Sequence, residues 1–202
     1  MNITKKIALI SAAAVLCSAP VSASAAGNAS DGETLAYTCL GCHGIDGYRN
    51  AYPSYRVPKL GGQKAAYLVV ALNGYRDGTR PHPTMVAQAT SLSDQQIEDI
   101  SSYLATLSAD TVAAGGSPGV GPAESNACTA CHGQNGISLS PTWPTLAGQH
   151  EDYLVHALNQ YRDGTRENAI MAPMVAALTD ADVALLAKYY SSLNGLETLE
   201  AE

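Results

Sequence analysis

One stretch of the sequence occurs twice, and this duplication restricts the fold more than any other feature does. Residues 60–94 align with residues 146–180 without a gap, at a constant offset of 86, and 18 of the 35 aligned positions are identical. Repeats that build solenoids are shorter, roughly 20–50 residues, so a repeat of this length has the size of a small domain. We therefore expect two tandem domains of the same fold.

Composition places the domain boundaries. Residues 113–122 are small, uncharged and rich in Gly and Pro, which is typical of a linker. We predict a first domain at residues 27–113, a linker at residues 114–121 and a second domain at residues 122–202. Domains of about 80–90 residues bury only a modest side-chain core, so a large buried cofactor would help each of them to fold.

The N-terminus has the three-part pattern of a secretory signal peptide, which we assign to residues 1–26. Lys5 and Lys6 give a positive start, residues 7–16 are apolar, and small residues with Ala-x-Ala frames follow. The apolar run is too short to span a bilayer, which takes about 20 residues. We predict export from the cytoplasm and loss of Cys17 with the signal peptide.

Helical patterns dominate the rest of the sequence. Apolar residues recur at helical spacing in both halves, and no run alternates as a strand would. Capping sequences predict helix starts at Ser30, Ser93 and Thr179, and glycines predict helix ends at Gly78 and Gly164. We predict an all-α fold.

The four cysteines that remain after the signal peptide form two C-x-x-C-H motifs, at residues 39–43 and 128–132. This is the attachment signature of c-type haem. On one helical turn, thiols three residues apart face the same side and can add to the two vinyl groups of one porphyrin edge, and the next residue, His, lies below the ring and reaches iron. We predict two covalently bound haem c groups, with their iron, held by Cys39, Cys42, His43, Cys128, Cys131 and His132.

Three other interpretations of the cysteines compete with haem. A disulfide within each pair is compatible with an oxidising compartment. A thioredoxin-like redox pair requires a strand-to-helix context, which the sequence lacks. A zinc site would combine two C-x-x-C pairs, whereas these pairs lie in separate repeats and each is followed by His. Both motifs occupy the same place in the repeat, which favours haem.

Two of the three remaining methionines match between the repeats. Met85 aligns with Met171 at the offset of 86, whereas Met174 aligns with Gln88. We predict Met85 and Met171 as the second axial ligands and Met174 as a packing residue, with ligation by Met174 as the alternative. A thioether ligand raises the potential and leaves no open site on iron, which favours electron transfer over oxygen or peroxide chemistry.

Other repeated residues are candidates for orienting the haem. A carbonyl near Pro58 or Pro144 is expected to accept the Nδ1 hydrogen of the haem histidine. Six further side chains are expected either to bind the haem propionates or to cap a helix end: Tyr75, Arg76, Arg80, Tyr161, Arg162 and Arg166. Packing or surface roles are expected for His82, His150 and His156.

These features together resemble the dihaem cytochromes c4, and the resemblance covers essentially the whole mature chain. It rests on the signal peptide, the two C-x-x-C-H motifs, the two Tyr-Arg-Asp-Gly-Thr-Arg repeats and the Met before each Leu-Ser/Thr-Asp. It implies two class I cytochrome c domains about a pseudo-twofold axis, with the haem edges close together. It also implies that the carbonyls of Pro58 and Pro144 hold the haem histidines.

The resemblance also implies a role. It predicts a periplasmic electron carrier, loosely associated with the membrane, that passes electrons from a quinol-oxidising complex to a terminal oxidase. Haem-ligation machinery would act on the chain during maturation. The alternatives are a dihaem subunit of a flavin- or molybdenum-containing dehydrogenase, and a peroxidase or ligand sensor with an open iron. The sequence offers no substrate site of its own, so we do not expect an enzyme.

Charge restricts the partners. The net charge of −7 argues against binding to nucleic acid, which requires clustered Lys and Arg. Residues 27–113 carry six Lys/Arg and eight Asp/Glu, whereas residues 114–202 carry three and ten. We expect the more acidic C-terminal half to face a basic surface of the partner protein.

Overall fold

Nine α-helices and one short 3₁₀ helix form the regular structure of residues 26–107 and 120–199, the part of the chain that this computed structural model describes. The first half contains α1 (Ala29–Leu35), α2 (Tyr37–His43), α3 (Ala65–Asp77), α4 (Pro83–Ala89) and α5 (Asp94–Thr106). The second half contains the 3₁₀ helix (Ala123–Ser125), α6 (Asn126–His132), α7 (Glu151–Arg162), α8 (Met171–Val175) and α9 (Asp180–Ser192). Extended pairing in these residues is limited to two isolated bridges. The all-α prediction is confirmed.

The predicted signal peptide at residues 1–26 and the predicted linker at residues 114–121 lie almost entirely outside the described residues. Within the described part of the chain, no helix is long and apolar enough to cross a membrane.

Helix starts follow the capping sequences at two of the three predicted positions. Ser93 and Thr179 each form a complete capping box with the third residue of the helix that follows. The prediction that Ser30 begins the first helix is wrong. Asn28 is the N-cap, and its side-chain oxygen accepts the Ser30 N–H at 3.0 Å. Asn is as good an N-cap as Ser, and the Asp99 carboxylate on α5 accepts the Asn28 backbone N–H at 2.7 Å, which ties the cap to α5.

Each half buries its own apolar core next to its C-x-x-C-H helix. In the first half α1 and α3 pack against α5, and in the second half α7 packs against α9. The buried residues are Ala36, Leu68, Ile100 and Leu104 in the first core and Leu154, Leu186, Ala187 and Tyr190 in the second. Cys39 and Cys128 pack at the edges of these cores, so the first thiol of each motif faces an apolar interior.

The end of the chain crosses from the second half to the first. We call residues 195–199 the C-terminal segment. Glu197 pairs with Gly61 in an antiparallel bridge, with N···O distances of 3.0 and 3.1 Å. Leu199 has no exposed surface and completes the core of the first half. The C-terminal segment therefore ties the two halves together, and the repeat did not predict it.

Reciprocal contacts relate the two halves by an approximate twofold axis. Arg80 donates a hydrogen bond to the Tyr153 hydroxyl at 2.6 Å, and Arg166 donates to the Tyr67 hydroxyl at 3.2 Å. Each residue stands 86 positions from its counterpart in the other half. The same Arg–Tyr contact is thus made from the first half to the second and from the second half to the first. A twofold axis produces such paired contacts. The predicted pseudo-twofold arrangement is confirmed.

Other contacts between the halves are specific to one side. Tyr55 stacks on His156, with ring centroids 4.0 Å apart and an angle of 18° between the planes. Asp152 accepts hydrogen bonds from the backbone N–H of Arg56 at 3.2 Å and from its Nε at 3.1 Å, and it forms an ion pair with Arg49 at 3.0 Å. His156 therefore has the packing role that the sequence predicted for it.

Candidate haem sites

The two C-x-x-C-H motifs lie on equivalent helices, α2 and α6, each seven residues long. Residues three positions apart share one face of a helix, so each helix presents its two thiols together. All four thiols, of Cys39, Cys42, Cys128 and Cys131, are free. The structure thus does not show the disulfide alternative, and it presents two thiol pairs suited to one porphyrin edge each.

The thiols do not have the character of a redox-active pair. Burial raises the pKa of the Cys39 thiol and the pKa of the Cys128 thiol. Thioredoxin-like cysteines depend on a lowered pKa, because the thiolate is the reactive form. No three Cys, His, Asp or Glu side chains of the described residues cluster as a metal site would require. These observations weaken the thioredoxin-like and zinc interpretations.

The histidine of each motif is buried and oriented. His43 Nδ1 lies 2.8 Å from the carbonyl oxygen of Pro58, and His132 Nδ1 lies 2.8 Å from that of Pro144. A carbonyl can only accept, so Nδ1 carries the proton and Nε2 keeps its lone pair for a metal. The two prolines are those that the repeat and the family resemblance single out.

Burial also keeps these imidazoles neutral. It lowers the pKa of His43 to about 4, although the hydrogen bond to Pro58 acts in the opposite direction, and burial lowers the pKa of His132 as well. A neutral imidazole is the form that ligates a metal. The donor set of two thiols and one oriented, neutral imidazole on a single short helix fits a covalently attached haem.

The three methionines differ in exposure. Met85 lies in α4 and Met171 begins α8, and both side chains are half-buried. Met174, one turn later in α8, is 45% exposed. The two repeat-matched methionines are therefore in the more enclosed positions.

The backbone N–H of each of these two methionines donates a hydrogen bond to the side chain three residues earlier. His82 Nδ1 accepts the N–H of Met85 at 3.2 Å, and the Asn168 side-chain oxygen accepts the N–H of Met171 at 2.9 Å. The other ring nitrogen of His82 donates to Asn50 at 3.1 Å. Both nitrogens of His82 are thus engaged, and the residue caps α4 beside Met85.

Two of the four candidate arginines lie in the last turn of a helix and bind the start of the next long helix of the same half. Arg76 donates to the Leu92 carbonyl at 3.3 Å and to Asp94 at 2.7 Å. Arg162 makes the equivalent contacts in the second half, with the Leu178 carbonyl at 2.9 Å and with an aspartate at the start of α9. Neither arginine caps its own helix: the contacts tie the end of α3 to the start of α5 and the end of α7 to the start of α9.

The other two arginines are buried between the halves. Arg80 and Arg166 are 9% and 7% exposed, and each guanidinium lies 4.4 Å from the centre of a tyrosine ring, Tyr75 or Tyr161. Neither forms an ion pair with any residue in the described ranges. A buried cation without a counter-charge is costly, so this region is suited to an anionic group.

Two buried glutamines were not predicted from the sequence. Gln63 and Gln149 are 4% and 5% exposed, and each forms hydrogen bonds with the backbone of the opposite half. Both follow a glycine at the same place in the repeat, five residues after the proline of the Pro-x-Leu segment. That repetition was the available signal.

Comparison with known proteins agrees with this geometry. The family model for cytochrome c matches this chain twice, at residues 29–108 and 121–194. Cytochrome c4 of Pseudomonas aeruginosa is 33% identical over 190 residues, which covers 85% of this chain and 92% of that protein. A thiosulfate dehydrogenase electron acceptor of Stutzerimonas stutzeri is 34% identical over 179 residues, covering 81% and 82%.

Solved structures give the same result. The crystal structure of reduced recombinant cytochrome c4 from Pseudomonas stutzeri superposes with a TM-score of 0.67 at 30% identity, covering 84% of this chain and all of that one. Two cytochrome c domains in tandem, each with a thiol pair and an oriented histidine, bind two covalent haem c groups. The chain is a dihaem electron-transfer protein and belongs to the cytochrome c4 family.

Proposed function

We propose that the protein is a periplasmic electron carrier whose two haem irons are six-coordinate. The axial ligands would be His43 and Met85 in the first half and His132 and Met171 in the second. The observation that carries this proposal is the orientation of the two histidines, each with Nδ1 fixed by a proline carbonyl and Nε2 free. The half-buried, repeat-matched methionines complete the set.

Bound haem supplies a one-electron Fe(II)/Fe(III) couple. The role of the chain is to retain both axial donors in either redox state, to exclude water from the iron and to set the potential. The carbonyls of Pro58 and Pro144 hold the imidazoles, and the side chains of His82 and Asn168 accept the backbone N–H groups of Met85 and Met171. A site closed in this way favours electron transfer over oxygen chemistry.

Arg80 and Arg166 are our candidates for binding haem propionates. Both are buried, both stack on tyrosines, and both lack a carboxylate partner in the described residues. Propionates would provide the missing negative charge through charge-assisted hydrogen bonds. Since each arginine also contacts the opposite half, propionate binding would lie close to the twofold axis.

The test of this proposal is a reductive spectral titration of the purified holoprotein. We expect two haems per chain, covalent attachment, the charge-transfer band of a methionine–iron bond for both haems, and two separate potentials. Rapid binding of carbon monoxide to the reduced protein, at either haem, would instead show an open iron and favour the sensor or peroxidase alternative.

For the partners, we propose a quinol-oxidising complex as donor and a terminal oxidase or a similar acceptor. The uneven charge supports docking through the more acidic C-terminal half, since residues 114–202 carry ten Asp/Glu against three Lys/Arg. Raising the ionic strength should then slow association with the acceptor. An association rate that does not respond to salt would contradict this orientation.

A second candidate is a dihaem electron-accepting subunit of a dehydrogenase. It is favoured by the 34% identity to a protein named as a thiosulfate dehydrogenase electron acceptor. Stable co-purification of this chain with a catalytic subunit would support this second role. A carrier instead forms small, weak complexes with its partners.

A further inference from the structure

The side chain of Gln149 brackets one residue of the opposite half. Its Oε1 accepts the backbone N–H of Lys59 at 2.9 Å, and its Nε2 donates to the carbonyl oxygen of Lys59 at 2.9 Å. The Oε1 atom also accepts the backbone N–H of His150 at 3.0 Å. Two N–H donors on one side and a carbonyl on the other fix the orientation of the amide.

The same arrangement occurs in the opposite direction. Gln63 Oε1 accepts the backbone N–H of Thr145 at 2.9 Å, Gln63 Nε2 donates to the Thr145 carbonyl at 3.1 Å, and Oε1 also accepts the N–H of Lys64 at 3.0 Å. Gln63 and Gln149 are 86 positions apart, as are Lys59 and Thr145. The two glutamines are therefore twofold-related, and each reaches across to the other half.

The bracketed peptide is the one that holds the haem histidine. The carbonyl of Pro58 and the N–H of Lys59 belong to a single peptide group. On one side that group accepts the Nδ1 hydrogen of His43, and on the other it donates to Gln149. Equivalently, the peptide between Pro144 and Thr145 connects His132 to Gln63.

Hydrogen bonds at the two ends of a peptide group strengthen each other. When the N–H donates to a good acceptor, electron density shifts to the carbonyl oxygen, which becomes a better acceptor in turn. A stronger acceptor for Nδ1–H makes the imidazole a more basic ligand. A more basic ligand stabilises Fe(III) relative to Fe(II), so the potential of that haem falls.

We propose that each glutamine is a positioning residue that lowers the potential of the haem in the opposite half. Gln149 acts on the haem of His43, and Gln63 acts on the haem of His132. The effect passes through one peptide group and needs no contact between the glutamine and the haem. This inference rests on the proposed function, because it requires His43 and His132 to be axial ligands.

The test compares the holoproteins Gln149→Met and Gln63→Met with wild type in a spectroelectrochemical titration. Methionine has a similar length and cannot accept the peptide N–H. We expect Q149M to raise the potential of the first-half haem and leave that of the second nearly unchanged, and Q63M to do the reverse. Gln95→Met is the matched control, because Gln95 is exposed on α5 and, within the described part of the chain, hydrogen-bonds only to Asp99 of its own half. It should shift neither potential.

Each potential can be assigned to a half in a Met171→His background. Replacing a thioether ligand by imidazole lowers the potential of the haem that carries it. The haem whose potential falls in this background is therefore the one in the second half. If Q149M fails to bind two haems, Gln149→Glu gives the same information with the opposite sign. An ionised carboxylate accepts the Lys59 N–H more strongly than the amide does, although it loses the bond to the Lys59 carbonyl, so the first-half potential should then fall by more than the second.

The crossed pattern separates tuning from a merely structural role. Loosening the contact between the halves would shift both potentials together in both variants. Equal shifts of the two haems, a shift confined to the glutamine's own half, or no shift would overturn the inference. In any of these cases a wild type with two methionine–iron bands leaves the proposed function intact, whereas absence of those bands from wild type refutes the ligand assignment itself.

Discussion

The backbone N–H of Leu199 donates to the carbonyl oxygen of His43 at 3.3 Å, so the C-terminal segment meets the end of the first C-x-x-C-H helix. The Leu199 side chain is fully buried in the first-half core, where Cys39 also packs. The C-terminal segment thus completes the core against which the first C-x-x-C-H helix packs.

Leu199→Ala should destabilise the protein by about 3 kcal/mol, because it leaves a cavity in a packed core. Leu139→Ala is the control, since Leu139 is 71% exposed and surface changes cost at most about 0.5 kcal/mol. Urea unfolding of the two holoproteins gives both values. Similar losses of unfolding free energy in the two variants would contradict the role assigned to Leu199.

Gly148→Ala should cost more than Gly164→Ala. The two glycines have nearly the same left-handed φ, 76° and 79°, so the backbone strain of an alanine is matched. A Cβ at Gly148 would lie 2.8 Å from backbone atoms of Leu196, whereas nothing lies within 4 Å of one at Gly164. The strain alone costs about 1–2 kcal/mol. Urea unfolding measures how much more unfolding free energy Gly148→Ala loses than Gly164→Ala does. That difference reports the close approach of the C-terminal segment. Equal losses in the two variants would show that the segment does not pack against Gly148.

Met85→Leu and Met171→Leu should each remove the methionine–iron absorption of one haem, and Met174→Leu should remove none. Met85 and Met171 are half-buried, and the backbone N–H of each donates to a side chain three residues earlier. Met174, by contrast, is 45% exposed. The measurement is the near-infrared spectrum of the oxidised protein. Loss of a band in M174L with retention in M171L would reverse the assignment.

Acidification should destabilise the protein partly through His150. Burial, reinforced by the positive charges of Arg56 and Lys59, lowers its pKa to about 4, below the unfolded value of about 6.5. The unfolded chain therefore binds the proton first, and stability is lost as pH falls below about 6.5, by up to roughly 1.4 kcal/mol per pH unit. His150→Gln should reduce the loss of unfolding free energy between about pH 7 and pH 5. An unchanged loss would show that His150 does not contribute.

Prediction from the sequence succeeded where the same residue occurs in both repeats and acts within its own half. The pairing of His43 with Pro58 is of this kind, since local spacing and family resemblance both point to it. For Arg76 the sequence left capping and propionate binding open, and its contact with Asp94 was not predicted, because only the fold brings Asp94 within reach.

Contacts between the halves were much harder to predict. Arg80 bonds to Tyr153, 73 positions away, and no local pattern records such a pairing. Gln63 and Gln149 were visible as repeated residues, but a buried amide that binds the opposite backbone has no distinctive spacing. Leu199 had neither a repeated partner nor a motif, and only packing identifies it.

The position of Leu199 also has a consequence for biosynthesis. A polypeptide is made from its N-terminus, so the first half emerges long before the residue that closes its interior. A nascent chain that stops before Leu199 would leave the core of the first half incomplete and the core of the second half intact. The order of synthesis and the order of completion therefore run in opposite directions in this molecule.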